Sequence, residues 1–174
     1  MPDGRIVTLR LADAAAVLYA IAIACRLLRR NAVARLIWAL GCAVFVTHAA
    51  FAFQFYHHWS HAAAYAATAE ETAKVTGHAW GWGLYLDYAF ALLWIVTAIW
   101  WRPIYGWLDT AVQSFFAFMF FNATVVFATG WIRWTGVAAT IVLAALYGIN
   151  RTRTSITLVP VGPVLINDSK PSKK

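Results

Sequence analysis

The sequence predicts an all-α integral membrane protein: a bundle of about five transmembrane helices, with a short outer helix between spans two and three. Apolar residues make up 62% of the 174-residue chain and charged residues 12%, against roughly 45–50% and about 25% in soluble domains. The mean hydropathy is +0.64. The apolar residues also come in long unbroken runs rather than in short alternating segments. Lipid offers no partner to open backbone groups, so such runs cross as helices and not as barrel strands.

The first span covers residues 9–28. Arg5 and Arg10 precede it and Ala22, Ile23, Ala24 and Cys25 lie near its end, a pattern with some likeness to a signal peptide. Arg26, Arg29 and Arg30 follow at once, however, so the segment is expected to be retained as a span. A tight basic turn then leads into span two, residues 34–56, which makes the two helices antiparallel neighbours. Residues 57–79 form a polar, aromatic and Ala-rich outer segment with high helix propensity. Ser60 is placed to cap its helix and Gly77 to stop it.

Span three covers residues 80–101 and ends at Arg102 and Pro103, because proline removes a donor and pushes its predecessor out of helical geometry. Span four covers residues 104–129. Trp100, Trp101, Tyr105 and Trp107 between them resemble an interfacial aromatic belt. Span five, residues 134–149 between Arg133 and Arg151, is short against the ~20 residues of a perpendicular crossing. Tilt, local thinning or snorkelling by Arg133 would rescue it. The tail, residues 152–174, combines β-branched residues, Pro160, Gly162, Pro163 and a Lys-rich end, and is expected to be extended or disordered.

The net charge of +7 comes from short basic clusters between the apolar runs, which topology explains better than nucleic acid. With five spans, Arg26, Arg29, Arg30, Arg35, Arg102, Arg151 and the terminal lysines share one face. The positive-inside rule makes that face cytoplasmic, with the N-terminus outside and the C-terminus inside a bacterial inner membrane. Cys25 and Cys42 fall in different spans without CxxC spacing, and read as small buried hydrophobes.

Four of the five histidines, His57, His58, His61 and His78, lie at the ends of the outer segment. At about 100° per residue an uninterrupted helix would put His57, His61 and His58 within an arc of about 100°. His57 and His61 would form the i, i+4 pair of helical metal sites. His78 begins span three and falls at a similar depth. Converging imidazoles suit copper, zinc or iron, with Glu70 and Glu71 as further ligands. A haem b held by His78 with His57 or His58 is a narrower version of the same reading. A break at Ser60 would scatter the arc. The competing reading places these histidines in an aromatic belt with Trp59, Trp80 and Trp82, where an imidazole has an apolar body and a polar tip.

Deeper in the spans, His48 lies nine residues before His57 and Asp87 nine after His78, about 13.5 Å below their helix ends. The two are expected at one depth and in contact, because a charged group inside the bilayer usually faces a partner. An interhelical polar clamp is favoured over a proton relay. A channel would require a continuous polar path from Asp87 toward Asn122 or Asp109.

The chain carries no P-loop, GxSxG or HExxH motif and no cysteine pair suited to a cluster, so no catalytic residue is assigned. Its size and 16% aromatic content suggest a small accessory or assembly subunit of a larger bacterial membrane complex in energy metabolism or electron transport. Lipid and other membrane subunits would be its partners. The alternative is a membrane redox protein holding a metal or haem at the outer histidines.

Overall fold

The computed structural model describes residues 2–100 and 106–156, and these are almost entirely helical. Helix α1 (Pro2–Leu27) and helix α2 (Asn31–Ala52) form an antiparallel hairpin. Arg29 takes the left-handed conformation, φ 59°. The Arg30 amide then donates to the Cys25 carbonyl and the Arg29 amide to that of Arg26, both near 3 Å. This is the paired closure of a Schellman motif, with arginine where glycine is usual.

Helix α2 runs into a π-helical turn, Phe53–His57. Helix α3 (His61–Thr76) follows. Ser60 Oγ accepts from the Ala63 amide at 3.2 Å, and Gly77 ends the helix at φ 78°, a conformation that costs a residue without Cβ little.

Helix α4 (Gly83–Ile99) returns beside α2. Trp38 donates to Thr97 Oγ1 near one end of this contact and Phe45 meets Phe90 nearer the other, so the helices are antiparallel. Helix α5 (Trp107–Phe121) continues as a second π-helical turn, Asn122–Val126. Helix α6 (Gly130–Ile156) runs back antiparallel to α5. Thus α1, α2, α4, α5 and α6 alternate in direction.

Three helical stretches are long and apolar enough to cross a membrane: Gly4–Leu27, Asn31–His57 and Gly130–Asn150. Helices α4 and α5, with 17 and 15 residues, fall short of the ~20 of a perpendicular crossing. The last of the long stretches corrects the short fifth span. Arg133, taken as its boundary, lies inside α6, its side chain folded back to donate to the Ala128 and Val126 carbonyls. The charge is thereby used to satisfy carbonyls at the end of the π-helical turn.

Span three was expected from residue 80, yet Trp80, Gly81 and Trp82 precede α4 in an irregular segment. Helix α6 also continues to Ile156, past the expected start of the tail at Thr152. The turn expected at Arg102 and Pro103 and the remainder of the tail lie outside the described residues.

The core is aromatic. Tyr19, Trp38, Phe90, Trp94, Phe116 and Phe120 are buried together, supplied by α1, α2, α4 and α5. Their rings meet edge-on or tilted more often than stacked, an arrangement that sets positive ring edges against negative faces. Helix α6 joins this core mainly at its start. Gly136 lies so close to the π-helical turn that a Cβ there would stand 2.5 Å from the Thr124 carbonyl oxygen. Farther along, α6 presents Ile141 and Val142 outward, each more than half exposed. Large apolar side chains are exposed on all the longer helices, as on a protein that spans a membrane.

Candidate functional site

Polar groups gather at the two ends of the bundle, with the aromatic core between them. At the α3 end, the uninterrupted helix that would align His57, His58 and His61 is not formed. His57 closes the π-helical turn, while His58 and Trp59 both adopt left-handed backbone, φ 48° and 59°. Ser60 then starts a new helix in a new direction. The Trp59 indole secures this reversal by donating to Gln54 Oε1 at 2.7 Å.

Four of the six expected metal ligands, His61, His78, Glu70 and Glu71, serve other partners. His61 Nδ1 lies 3.0 Å from the Tyr88 hydroxyl and its Nε2 3.5 Å from that of Tyr85. His78 Nδ1 is 3.2 Å from the Thr76 carbonyl, which can only accept, so that nitrogen carries the proton. Glu70 and Glu71 both pair with Lys74, at 3.1 and 2.7 Å. Hydrogen bonds donated to Glu71 and then to Glu70 hold the Lys74 ammonium above its ordinary pKa. Among the described residues no three His, Cys, Asp or Glu side chains stand close enough together to hold a metal ion. His57, His58, His61 and His78 therefore do not converge.

What this end does contain is a hydrogen-bonded row, Tyr88, His61 and Tyr85. A neutral imidazole has one donor and one acceptor nitrogen, so one phenol donates to the ring and the other accepts from it. The row fastens α3 to α4.

His48 and Asp87 lie at one depth. Phe45 faces Phe90 at 5.0 Å between ring centroids, and three residues farther along each antiparallel helix come His48 and Asp87. They are nevertheless not joined by a hydrogen bond or ion pair. His48 Nδ1 turns instead to the Thr8 carbonyl of α1, at 2.9 Å, and donates to it. The clamp forms, but between α2 and α1.

Asp87 keeps no hydrogen-bond or ion-pair partner among the described residues. By helical spacing it shares the stripe of Phe90 and Trp94, three and seven residues on, both in the core. Yet Asp87 is exposed, as are Tyr85, Leu86 and Tyr88 around it. The bundle stops short of closing over this part of α4.

The basic end holds a cavity of about 550 Å³ between α1, α5 and α6. Tyr19, Ile23 and Arg26 form its α1 wall, at intervals of four and three residues. Asp109, Gln113, Ala117 and Phe120 form the α5 wall with the same periodicity, and Thr140, Ala144 and Tyr147 belong to the α6 wall. Arg26 Nη2 donates to both Asp109 oxygens, at 3.1 and 3.0 Å.

No family model, curated protein or solved structure matches this chain.

Sequence reasoning missed this cavity. The stripes themselves were readable, since Asp109, Gln113 and Ala117 repeat at four-residue intervals. Their partners were not, because α1, α5 and α6 are distant in sequence and nothing local pairs Arg26 with Asp109.

Proposed function

We propose that the protein is a small accessory subunit of a larger membrane assembly, docked to a partner's transmembrane helix at the gap beside Asp87. The observation that carries this reading is the Asp87 carboxylate, on the core-facing stripe of an apolar helix, exposed and without a hydrogen-bond or ion-pair partner among the described residues. A lone carboxylate within a membrane is costly and is normally paired. A partner helix bearing Lys, Arg or another strong donor would neutralise it and cover Tyr85, Leu86 and Tyr88 at the same time.

The alternating direction of α1, α2, α4, α5 and α6 supports five crossings, with the two short helices accommodated by thinning or by burial against the partner. Arg26, Arg29, Arg30 and Arg35 gather at one end, which the positive-inside rule assigns to the cytoplasm of a bacterial cell. The α3 end then faces outward.

The test is isolation of the tagged full chain from gently solubilised native membranes, followed by native electrophoresis and cross-linking from a Leu86→Cys variant. A stoichiometric membrane partner, cross-linked at residue 86 and released by Asp87→Ala, is the expected result. A wild-type chain that migrates alone, or an assembly indifferent to Asp87→Ala, would overturn the proposal. Cross-linking to a second copy of the chain would replace it with a homo-oligomer.

A further inference from the structure

Tyr19 is 4% exposed and its ring is enclosed by Trp38, Trp94, Phe116 and Phe120. Its hydroxyl nevertheless makes no hydrogen bond to a described residue. Every fully buried side-chain nitrogen or oxygen among the described residues has a partner. The phenolic oxygen must therefore open onto accessible space, and the space Tyr19 borders is the cavity between α1, α5 and α6. The half-buried Gln113 amide lines the same cavity, also without a hydrogen-bond partner among the described residues. Two groups that can donate thus share one chamber.

The charge balance narrows what they would hold. Arg26 is neutralised by Asp109, so the polar end of the chamber offers no net attraction to an anion or a cation. Ile23, Ala117, Phe120 and Leu143 supply apolar wall. The volume lies within the roughly 300–1,000 Å³ of small-molecule sites.

We propose that this cavity binds a membrane-soluble molecule with an uncharged, carbonyl-bearing head and an apolar tail, the head accepting hydrogen bonds from Tyr19 and Gln113. Two sources share that chemistry, an isoprenoid quinone and a neutral glycerolipid. The proposal does not depend on the partner surface at Asp87, which lies toward the other end of the bundle.

The experiment titrates ubiquinone-1 and dioctanoylglycerol separately against the full chain in micelles and follows adducts by native mass spectrometry. Thermal unfolding serves as the check on each variant. One saturable adduct per chain is expected with one of the two probes, and the probe that binds identifies the source. Tyr19→Phe keeps the enclosed ring and removes only the hydroxyl, and is expected to weaken binding about tenfold, the worth of one hydrogen bond. Ala144→Phe fills the chamber and should abolish the adduct; should that variant misfold, Tyr19→Phe carries the test alone. Failure of both probes to form a saturable adduct, or binding unchanged in a folded Tyr19→Phe variant, overturns the proposal and leaves a crevice wetted by bulk lipid.

Discussion

Two glycines of one helix predict opposite responses to the same substitution. A Cβ at Gly136 would stand 2.5 Å from the Thr124 carbonyl oxygen and 2.8 Å from the Thr124 Cβ and Oγ1. Ordinary contact begins near ~3.4 Å, so α6 would have to retreat by roughly 0.9 Å, against the backbone of the π-helical turn rather than a flexible side chain. Overpacking of this kind costs about 1–3 kcal/mol. At Gly148 nothing lies within 4 Å. There Gly→Ala brings only the helix-propensity gain of about 0.5–1 kcal/mol. That gain is common to both positions and cancels in the comparison. Gly136→Ala should therefore be less stable than Gly148→Ala by about 1–3 kcal/mol. Unfolding by SDS in mixed micelles, followed by helical circular dichroism, measures the difference. Equal shifts for the two variants would refute the close approach of α6 to the π-helical turn.

Further predictions concern the core and α3. Trp94→Phe retains a ring among Trp38, Phe90 and Phe116 but removes the indole N–H that donates to the Trp38 carbonyl at 3.2 Å. A loss of about 1–3 kcal/mol in the same unfolding assay is expected from the vacated volume and the missing hydrogen bond, and an unchanged midpoint would contradict the packing described. For Lys74, the folded-state pKa is raised above its ordinary 10.5 by Glu71 and Glu70. Any stability this contact lends is therefore fully present below that value and lost as pH rises through the higher folded-state pKa. Nitrogen NMR titration of the Lys74 amine should show the rise in wild type and its disappearance in a Glu70→Gln, Glu71→Gln variant.

Composition and the length of the apolar runs were enough to read an all-helical membrane protein, because the constraint on backbone groups in lipid leaves so few alternatives. The ends of α3 were equally legible, since a serine cap and a glycine stop act through residue type alone. Spacing along α2 and α4 could be counted as well: His48 and Asp87 each lie three residues from the contact between Phe45 and Phe90. Which partner His48 took could not be counted. Its stripe on α2 faces both α1 and α4, and the choice depends on how near each helix lies. The Thr8 carbonyl of α1 won that competition.

The histidine arc failed for a different reason. Histidine tolerates left-handed backbone better than most residues, but nothing local calls for two such residues in succession, each costing about 1–2 kcal/mol where a Cβ is present. The reversal is held by contacts formed only in the fold, the Trp59 indole on Gln54 and the Ser60 amide on the His57 carbonyl at 2.8 Å. A local reading that extends α2 through this point inherits the wrong phase for every residue beyond it. Glu70 and Glu71 pair with Lys74, four and three residues on, a spacing that joins opposite charges along an ordinary exposed helix.

The placement of the polar groups favours two separate sites over one conduit. A conducting path would have to connect Asp87, near the α3 end, with Asp109 at the basic end. Between those levels lie Phe90, Trp94, Phe116 and Trp38, packed ring against ring at centroid distances near 5–6 Å. The indole nitrogens of this layer are engaged, Trp94 donating to the Trp38 carbonyl and Trp38 to Thr97, and the Tyr19 hydroxyl opens only toward the cavity at the basic end. Asn122 offers no bypass, because its amide donates to the Phe118 carbonyl of its own helix at 2.8 Å. An ion or a file of water entering at either end would have to part an aromatic layer without a polar group to replace its hydration. The same aromatic layer packs α1, α2, α4 and α5 together. With the middle of the bundle so packed, the gap beside Asp87 and the chamber beside Tyr19 are accessible from opposite ends and can be occupied independently.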